Sequence, residues 1–498
     1  MKTIGYVIGE ASPSYASFIS KTIPKLGEYV VLEYDNKKVL GIVRSVIMGS
    51  ISLSEDIHDP AIVEKIRSLE GKRDHYIKGI IKILGDVNSF EIPRTPPPPA
   101  TEVKRADSYT LQQVFSKKEK GLRIGVLASN PEVPVYIDVN RMVSRHLAIL
   151  AITGAGKSNT VAVISEGLLK LGGAALIFDM HSEYIDARFK NGEVNPIYPR
   201  LNPLNLHVSE LLRLMNIDSK AYKQEYYFRK ALNKTIQLIN KGQVDRDQFF
   251  VALEKVLSKF IKSEEKRKDV GTILSVRNKL EALLDKYGSL MDLKAPPVVS
   301  QIKLGYVNVV DLGSLDEEAC DVVVSHFLRT LLYSRKSYKS RGKGLPFPLF
   351  IVIEEAHILA PKDRTTLAKY WISRIAREGR KFGLGLCLVS QRPKALDPDT
   401  LSQANNMIVL RLVEPSDQRY VQQASETLSE DLLEQLSSLN IGEAIILGLM
   451  VRIPAIVKID KFEGKLSGGD IDIVGEWKKC SDRFLEVEKM YNDVVEDW

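Results

Sequence analysis

The sequence predicts an α/β protein: an open, doubly wound parallel sheet preceded by a small β-barrel and interrupted by a block of helices. Three observations predict it. From about residue 141, short apolar strands alternate with helical patterns, as in 147–150, 158–171 and 174–178, which is the signature of βαβ units. Ahead of that point the chain reads as short β-branched runs. Between about 205 and 292 the pattern is helical only.

The N-terminal elements come first. Residues 29–34 and 39–46 are β-branched runs around the turn Asp35-Asn36. Val7-Ile8 and 77–84 add strands, and Gly5, Gly27 and Gly41 suit the bends of a small barrel. Pro96 to Pro99 form a polyproline tract, which cannot join a sheet and marks an exposed connection. A second β pair, 122–128 and 133–137, is read as returning to complete the barrel. In the helical block, Phe249, Leu253, Val256 and Leu257 recur at helical spacing, as do Ile273, Val276, Leu280 and Leu283. These stripes are core positions of amphipathic helices. Strands resume at 307–312, 350–353, 386–390, 408–412, 444–447 and 456–459. The last stretch carries Gly468-Gly469 and a charged helical end. The chain therefore divides into a barrel domain with its Pro-rich connection at 1–140, the core at 141–204 and 293–461, the helical insertion at 205–292 and an extension at 462–498.

Composition narrows the function. At 498 residues the chain exceeds one compact core, and two to four domains are expected. Hydrophobic residues make up 44%, which supports globular folding. No apolar run is long enough to span a membrane, and MKTIGYVIGE lacks the apolar core of a signal peptide. The expectation is a soluble, cytoplasmic protein without a membrane partner. Cys320, Cys387 and Cys480 are far apart with no CxxC pair, which argues against a disulfide framework or a zinc site. The net charge of +7, from 70 basic and 63 acidic residues, permits a nucleic-acid partner without demanding one.

The chemistry is concentrated in four places. Ala151-Ile-Thr-Gly-Ala-Gly-Lys-Ser158 follows a strand and opens a helix, the setting of a P-loop. Its backbone N–H groups and the helix N-terminus cradle phosphate oxygens. Thr153, Gly154, Ala155, Gly156, Lys157, Ser158 and Asn159 are the candidate nucleotide contacts. Lys157 would reach the β- and γ-phosphates of ATP, and the Ser158 hydroxyl would bind Mg²⁺. The usual first glycine is Ala151 here, a small side chain that the loop can accommodate.

The second place is Pro348-Leu-Phe-Ile-Val-Ile-Glu-Glu355, an apolar strand ending in two carboxylates. Glu354 would serve the magnesium ion, and Glu355 would be the general base that polarises water. With the P-loop upstream, the core is read as a RecA-like P-loop ATPase. Third, Gln391 ends the neighbouring strand and is either a γ-phosphate sensor or an ordinary strand cap. In Asp179-Met-His-Ser-Glu183, Asp179 or Glu183 contacts the site or orders the metal's water, or Asp179 instead caps a helix N-terminus. Fourth, Arg374-Ile-Ala-Arg-Glu-Gly-Arg-Lys381 is a basic cluster that either faces a neighbouring subunit's nucleotide or is a solvated helix face. Lys362, Arg364 and Lys369 are further basic residues that could face DNA or solvent.

Together, HLAILAITGAGKSNT, LIFDMHSEY, IVIEEAH and SRIAREGRKFGLGLCLVSQRP, in this order, resemble the HerA family of archaeal DNA-translocating ATPases, within the FtsK–HerA superfamily. The resemblance implies a homo-hexameric ring that threads duplex DNA through a central pore and works with a NurA-type nuclease on DNA ends. By the same resemblance Arg380 is a trans-acting arginine finger, Arg145 an additional nucleotide contact, and Lys458-Ile459 a segment near the adenine or an adjoining subunit. The competing functions are a protein or secretion motor on the same core, and a nucleotide-gated clamp that recruits a nuclease. An intact Glu355 counts against the clamp, which needs no hydrolytic base.

Overall fold

The computed structural model describes residues 1–53, 55–69, 75–116, 121–218, 220–263, 268–425, 428–467 and 472–480. The expected Gly468-Gly469 break and the charged end beyond residue 480 lie outside the described residues.

Strands β1 (Thr3–Ala11), β2 (Tyr15–Ser20), β3 (Tyr29–Tyr34), β4 (Lys37–Ser50), β5 (His75–Asp86) and β6 (Glu102–Arg105) close a barrel in the order β1-β2-β5-β4-β3-β6. The β3–β4 hairpin turns at Asp35 and Asn36, whose φ values of 51° and 56° are those of a two-residue primed turn. Alternate residues point inward, so Ile4, Val7, Phe18, Val30, Leu32, Val43, Ile81 and Val103 form the barrel's own core.

The barrel is closed by β6, which follows the polyproline tract. The pair β7 (Gly121–Leu127) and β8 (Asn130–Asp138) does not return to it, contrary to the sequence reading. β7 instead pairs with β17 (Ala455–Ile459), Val457 opposite Leu127. The reason is long-range. Ile124, Leu127, Val133, Val135 and Ile137 pack with the P-loop helix into a second core, and the local β pattern of the hairpin is the same for either sheet.

The large sheet has eleven strands. Its remaining members are β9 (Leu147–Leu150), β10 (Ala175–Asp179), β11 (Glu193–Ile197), β12 (Tyr306–Asp311), β13 (Leu349–Ile353), β14 (Leu384–Ser390), β15 (Asn406–Leu410) and β16 (Glu443–Gly448). The order is β11-β12-β10-β13-β14-β9-β15-β16-β17-β7-β8. The first seven run parallel and the last four alternate antiparallel. β11 is absent from the sequence reading because its Pro196 argues against a strand. It survives at the sheet edge, where a missing N–H costs no ladder bond.

Every residue of β9, β10, β13, β14 and β15 is buried. That fits parallel strands covered on both faces. Alternation divides them between two cores. Ile149, Ile177, Val352 and Val389 face the helix Lys157–Lys170. Leu150, Phe178, Ile353 and Leu388 face the helices Glu317–Arg341 and Leu367–Glu378. The inserted helices, Tyr222–Asn240, Phe249–Ile261 and Val270–Tyr287, bury the striped positions Phe249, Leu253, Ile273, Val276 and Leu280 in the core shared with Glu317–Arg341 and Leu367–Glu378.

Candidate nucleotide and metal site

Because β10, β13, β14 and β9 are parallel neighbours, their C-terminal ends form one crevice, the place where open α/β sheets bind ligands. The P-loop leaves β9 there, the Asp179 turn leaves β10, Glu354 and Glu355 follow β13, and Gln391 follows β14.

The loop 151–156 turns on Gly154 and Gly156, with φ of 75° and 109°, a region that suits glycine. Gly156 is also the N-cap of the helix Lys157–Lys170, so the loop amides and the helix terminus converge. Ala151 needs no glycine: its φ is not positive, and its methyl is fully buried in the core under the loop. Lys157 is 8% exposed. Burial pushes its pKa down, while Glu355, Glu354 and Glu183 pull it up, which places the ammonium among those carboxylates.

Glu355 stands at φ 44° and ψ 46°, a left-handed conformation that costs a non-glycine residue on the order of 1–3 kcal/mol. It is held there by neighbours on three elements. The Gln391 side-chain amide donates to Oε1 at 2.5 Å, and the Gln391 carbonyl accepts from the Thr153 hydroxyl of the P-loop. His181 Nε2 lies 3.9 Å from Oε1, and His357 Nδ1 lies 3.3 Å from Oε2 and 3.2 Å from the Ser390 hydroxyl. Burial pushes the His357 pKa down, against the pull of Glu355, which favours a neutral ring. Glu355 Oε2 is buried and accepts no hydrogen bond among the described residues. A buried carboxylate oxygen with an open acceptor position suits a water molecule awaiting deprotonation.

Glu354 accepts a hydrogen bond of 2.7 Å from Tyr184, and burial raises its pKa to about 8. No group of three His, Cys, Asp or Glu able to hold a metal by itself occurs among the described residues. The hydroxyl of Ser158 and the carboxylate of Glu354 are hard oxygen donors on elements that leave parallel strands at the same crevice. That set fits a magnesium ion whose other ligands are phosphate oxygens and water.

Two candidate residues spend their side chains elsewhere. Asp179 caps its own turn: the N–H groups of His181 and Glu183 donate to Oδ1 (3.3 and 3.1 Å), and that of Tyr184 to Oδ2 (2.8 Å). The geometry thus favours the capping reading over a nucleotide contact. Asn159 donates to the Asp460 carbonyl (2.9 Å) and accepts from the Phe462 N–H (2.8 Å), so it fastens the chain after β17 to the P-loop helix. Ile459 is buried and its N–H bonds to Gly442, whereas Lys458 is exposed at the β17–β7 seam. Through Asn159 and Gly442, which also donates to the Ala155 carbonyl, the 458–460 segment borders the P-loop.

Arg380 and Arg145 lie at the opposite end of the sheet. Arg380 is exposed in the turn Gly379–Phe382 that enters β14, and Arg145 ends the helix that enters β9. Seven residues of β14 separate the end of the strand next to Arg380 from Gln391, about 20 Å at the usual rise of a strand. His146 locks that far end: its Nδ1 accepts the Leu386 N–H (3.0 Å), and its Nε2 donates to the Ala376 carbonyl (2.9 Å). Of the other basic candidates, Arg364 pairs with Glu317 (2.6 Å), Lys369 with Asp397 (2.9 Å), and Lys362 sits 5.9 Å over the Tyr420 ring.

Sequence reasoning missed Tyr184, His357 and Ser390. All three stand inside quoted blocks, LIFDMHSEY, IVIEEAH and SRIAREGRKFGLGLCLVSQRP, at or just after the ends of strands that bear candidates. That position was the available signal.

Residues 122–331 match the family described as "Helicase HerA, central domain", and residues 4–89 match the HAS barrel domain. The chain is 45% identical over 489 residues to the DNA double-strand break repair helicase HerA of Saccharolobus solfataricus, covering 96% of both chains. It is 44% identical over 508 residues to the protein of that name from Sulfolobus acidocaldarius, covering 100% of both. Among solved structures, the plasmid coupling protein TrwB in complex with ADP and Mg²⁺ shares the fold. Its TM-score is 0.50 at 17% identity, over 72% of this chain and 93% of that one. No described helix is long and apolar enough to cross a membrane.

Proposed function

This chain belongs to the HerA family of DNA helicases, and from that premise we propose that it is an ATP-driven DNA translocase and helicase. It works as a homo-hexameric ring on duplex DNA ends, with a NurA-type nuclease, in end resection and double-strand break repair. The observation that carries the ring is the separation of Arg380 from the P-loop by the full length of β14. Across that span the arginine does not reach a nucleotide held by its own chain. It fits a nucleotide presented by the next subunit.

The site supports ATP hydrolysis residue by residue. The loop amides and Lys157 bind the phosphates. Ser158 and Glu354 hold Mg²⁺, which neutralises phosphate charge when bound. Glu355 accepts a proton from the attacking water through its open Oε2, and Gln391 holds the base against the P-loop until the γ-phosphate arrives. Arg380 of the neighbouring subunit, with Arg145 beside it, stabilises the charge that develops on the γ-phosphate. The HAS barrel is the docking module for the nuclease.

The test is ATPase rate with and without linear duplex DNA, alongside the solution mass. A hexamer whose turnover rises with DNA supports the reading. A monomer with the same turnover in both conditions overturns it.

A further inference from the structure

We infer that His146 is the positioning residue of the arginine finger: its imidazole fastens together the two ends of the segment that carries Arg380, and ties that segment to the chain that carries Arg145. The inference rests on the reading of Arg380 as a finger for the next subunit's nucleotide given above.

His146 is buried and follows the helix Val139–Arg145 with φ 60° and ψ 161°. Glycine is the usual residue where a helix ends at positive φ, and a side chain there is strained. Such strain persists only where the surroundings over-determine the conformation. Here they do. The Asn406 side-chain amide donates to the His146 carbonyl at 2.8 Å and to the Arg141 carbonyl at 3.1 Å. The Asn405 N–H donates to the Arg145 carbonyl at 3.0 Å. The residues that enter β15 thus hold the backbone that enters β9.

The imidazole then acts on two further elements. Its Nδ1 accepts the Leu386 N–H of β14 at 3.0 Å, and its Nε2 donates to the Ala376 carbonyl of the helix Leu367–Glu378 at 2.9 Å. An acceptor at Nδ1 places the proton on Nε2, so one neutral tautomer makes both bonds. Ala376 lies four residues before Arg380 and Leu386 six residues after it. One ring therefore closes the base of a segment whose exposed middle is Arg380. The helix Val139–Arg145 packs against the turn Gly379–Phe382 from the same side. From the other side Arg335 donates to the Phe382 carbonyl at 2.7 Å and Lys339 to the Lys381 carbonyl at 2.8 Å. Those two bonds tie the turn to the helix Glu317–Arg341. His146 ties it to the chain bearing Arg145, so the two arginines are set by one framework. Alanine at position 146 would leave the Leu386 N–H and the Ala376 carbonyl without this partner and loosen Arg380 from Arg145.

The experiment measures kcat and the binding of a fluorescent ATP analogue on the full chain in its assembled form. The variants are His146→Ala, Arg380→Ala and Glu355→Gln, alone and in mixed rings verified to have exchanged subunits. His146→Ala is expected to keep ATP binding, because its own P-loop holds the phosphates, and to lose roughly 100-fold in kcat, the cost of a misplacement of about 1 Å. The double variant of His146→Ala with Arg380→Ala is expected to be no slower than Arg380→Ala alone, since residues that act as a unit are not additive. Mixing separates the finger from the P-loop strand, which His146 also precedes. If His146 acts through the finger, mixing His146→Ala with Glu355→Gln subunits restores part of the activity, because an intact base then meets an intact finger. If it acts through its own P-loop, no interface is complete, and mixed rings no more active than the parents overturn the proposal. A native kcat in His146→Ala, or a further loss of similar size in the double variant, overturns it too. If Arg380→Ala is itself not restored by Glu355→Gln, the finger reading fails and the proposal falls with it. Should His146→Ala not assemble, His146→Asn takes its place: asparagine tolerates positive φ, keeps a polar group near Nδ1 and loses the reach to Ala376. Lowered kcat with restoration in mixed rings then supports the proposal, and a native kcat or no restoration overturns it.

Discussion

Gln391 donates its side-chain amide to Glu355 Oε1 at 2.5 Å while its carbonyl accepts from Thr153, so the residue after β14 ties the carboxylate after β13 to the P-loop after β9. The second carboxylate oxygen is buried, 3.3 Å from His357 Nδ1, and accepts no hydrogen bond among the described residues. This arrangement gives Glu355 the buried free acceptor that a general base needs. Glu355→Gln is expected to bind ATP and hydrolyse it about 100- to 10,000-fold more slowly, since the change keeps size and removes the base. Single-turnover hydrolysis and nucleotide binding on the same preparation check it. A larger loss in Glu354→Gln, with binding intact in both, would reverse the two roles.

Lys157 is buried among Glu354, Glu355 and Glu183 at the start of the P-loop helix. Lys157→Ala is expected to abolish nucleotide binding or turnover while the assembly keeps its mass. Hydrolysis near the native rate in a purified ring of this variant would remove the P-loop assignment.

His146 predicts a pH dependence of stability. It is 4% exposed, and burial lowers its pKa from 6.5 to about 4. The folded chain therefore disfavours the imidazolium that the unfolded chain accepts. Between pH 6.5 and about 4 the unfolded state binds the extra proton, so stability is full above that window and falls as pH drops through it. The loss from this one group amounts to about 3 kcal/mol at 1.36 kcal/mol per pKa unit. His146→Gln keeps one donor and one acceptor but does not titrate. Denaturant unfolding at a series of pH values should show a shallower acid dependence in that variant. Equal slopes in both proteins would contradict the assignment.

The barrel carries exposed apolar side chains on the outer half of β4, Ile47 at 55% and Met48 at 57% exposure. Exposed apolar patches mark interaction surfaces. If the barrel docks the nuclease, Ile47→Asp with Met48→Asp should weaken nuclease capture roughly tenfold or more, a loss of about 1.4 kcal/mol, and leave basal ATPase intact. Capture by a chain lacking the barrel that is as tight as capture by the native chain would place the nuclease elsewhere.

Much of this site was legible in the sequence because it is local. The P-loop, the carboxylate pair and Gln391 each follow an apolar run directly, and strand direction alone carries them to one crevice. The Asp35-Asn36 hairpin was legible for the same reason. What stayed hidden depends on distant partners. The sheet that takes β7 and β8 is chosen by the packing of Ile124 and Val135. Asp179 and Asn159 sit beside the site in sequence yet spend their polar atoms on a turn and on the chain after β17. Tyr184 read as one more aromatic, since only the fold brings its hydroxyl to Glu354.

Arg380 tests the ring itself. It enters β14 at the end opposite Gln391, about 20 Å away along the strand, so within one chain it stands apart from Lys157, Glu355 and Gln391. Arg380→Ala should leave ATP binding largely intact, because the loop amides, Lys157 and Ser158 hold the phosphates. Turnover should fall by roughly 1,000-fold or more, the usual worth of an arginine finger. Mixing subunits separates the two ways this could happen. Arg380→Ala subunits lack the finger and keep the base; Glu355→Gln subunits lack the base and keep the finger. If the finger acts on the neighbour, some interfaces of a mixed ring pair an intact base with an intact finger, and part of the activity returns. If it acts within its own chain, no site in any mixture is complete. Mixed rings that have exchanged subunits, verified by mass, and remain as inactive as either parent would rule out action across the interface.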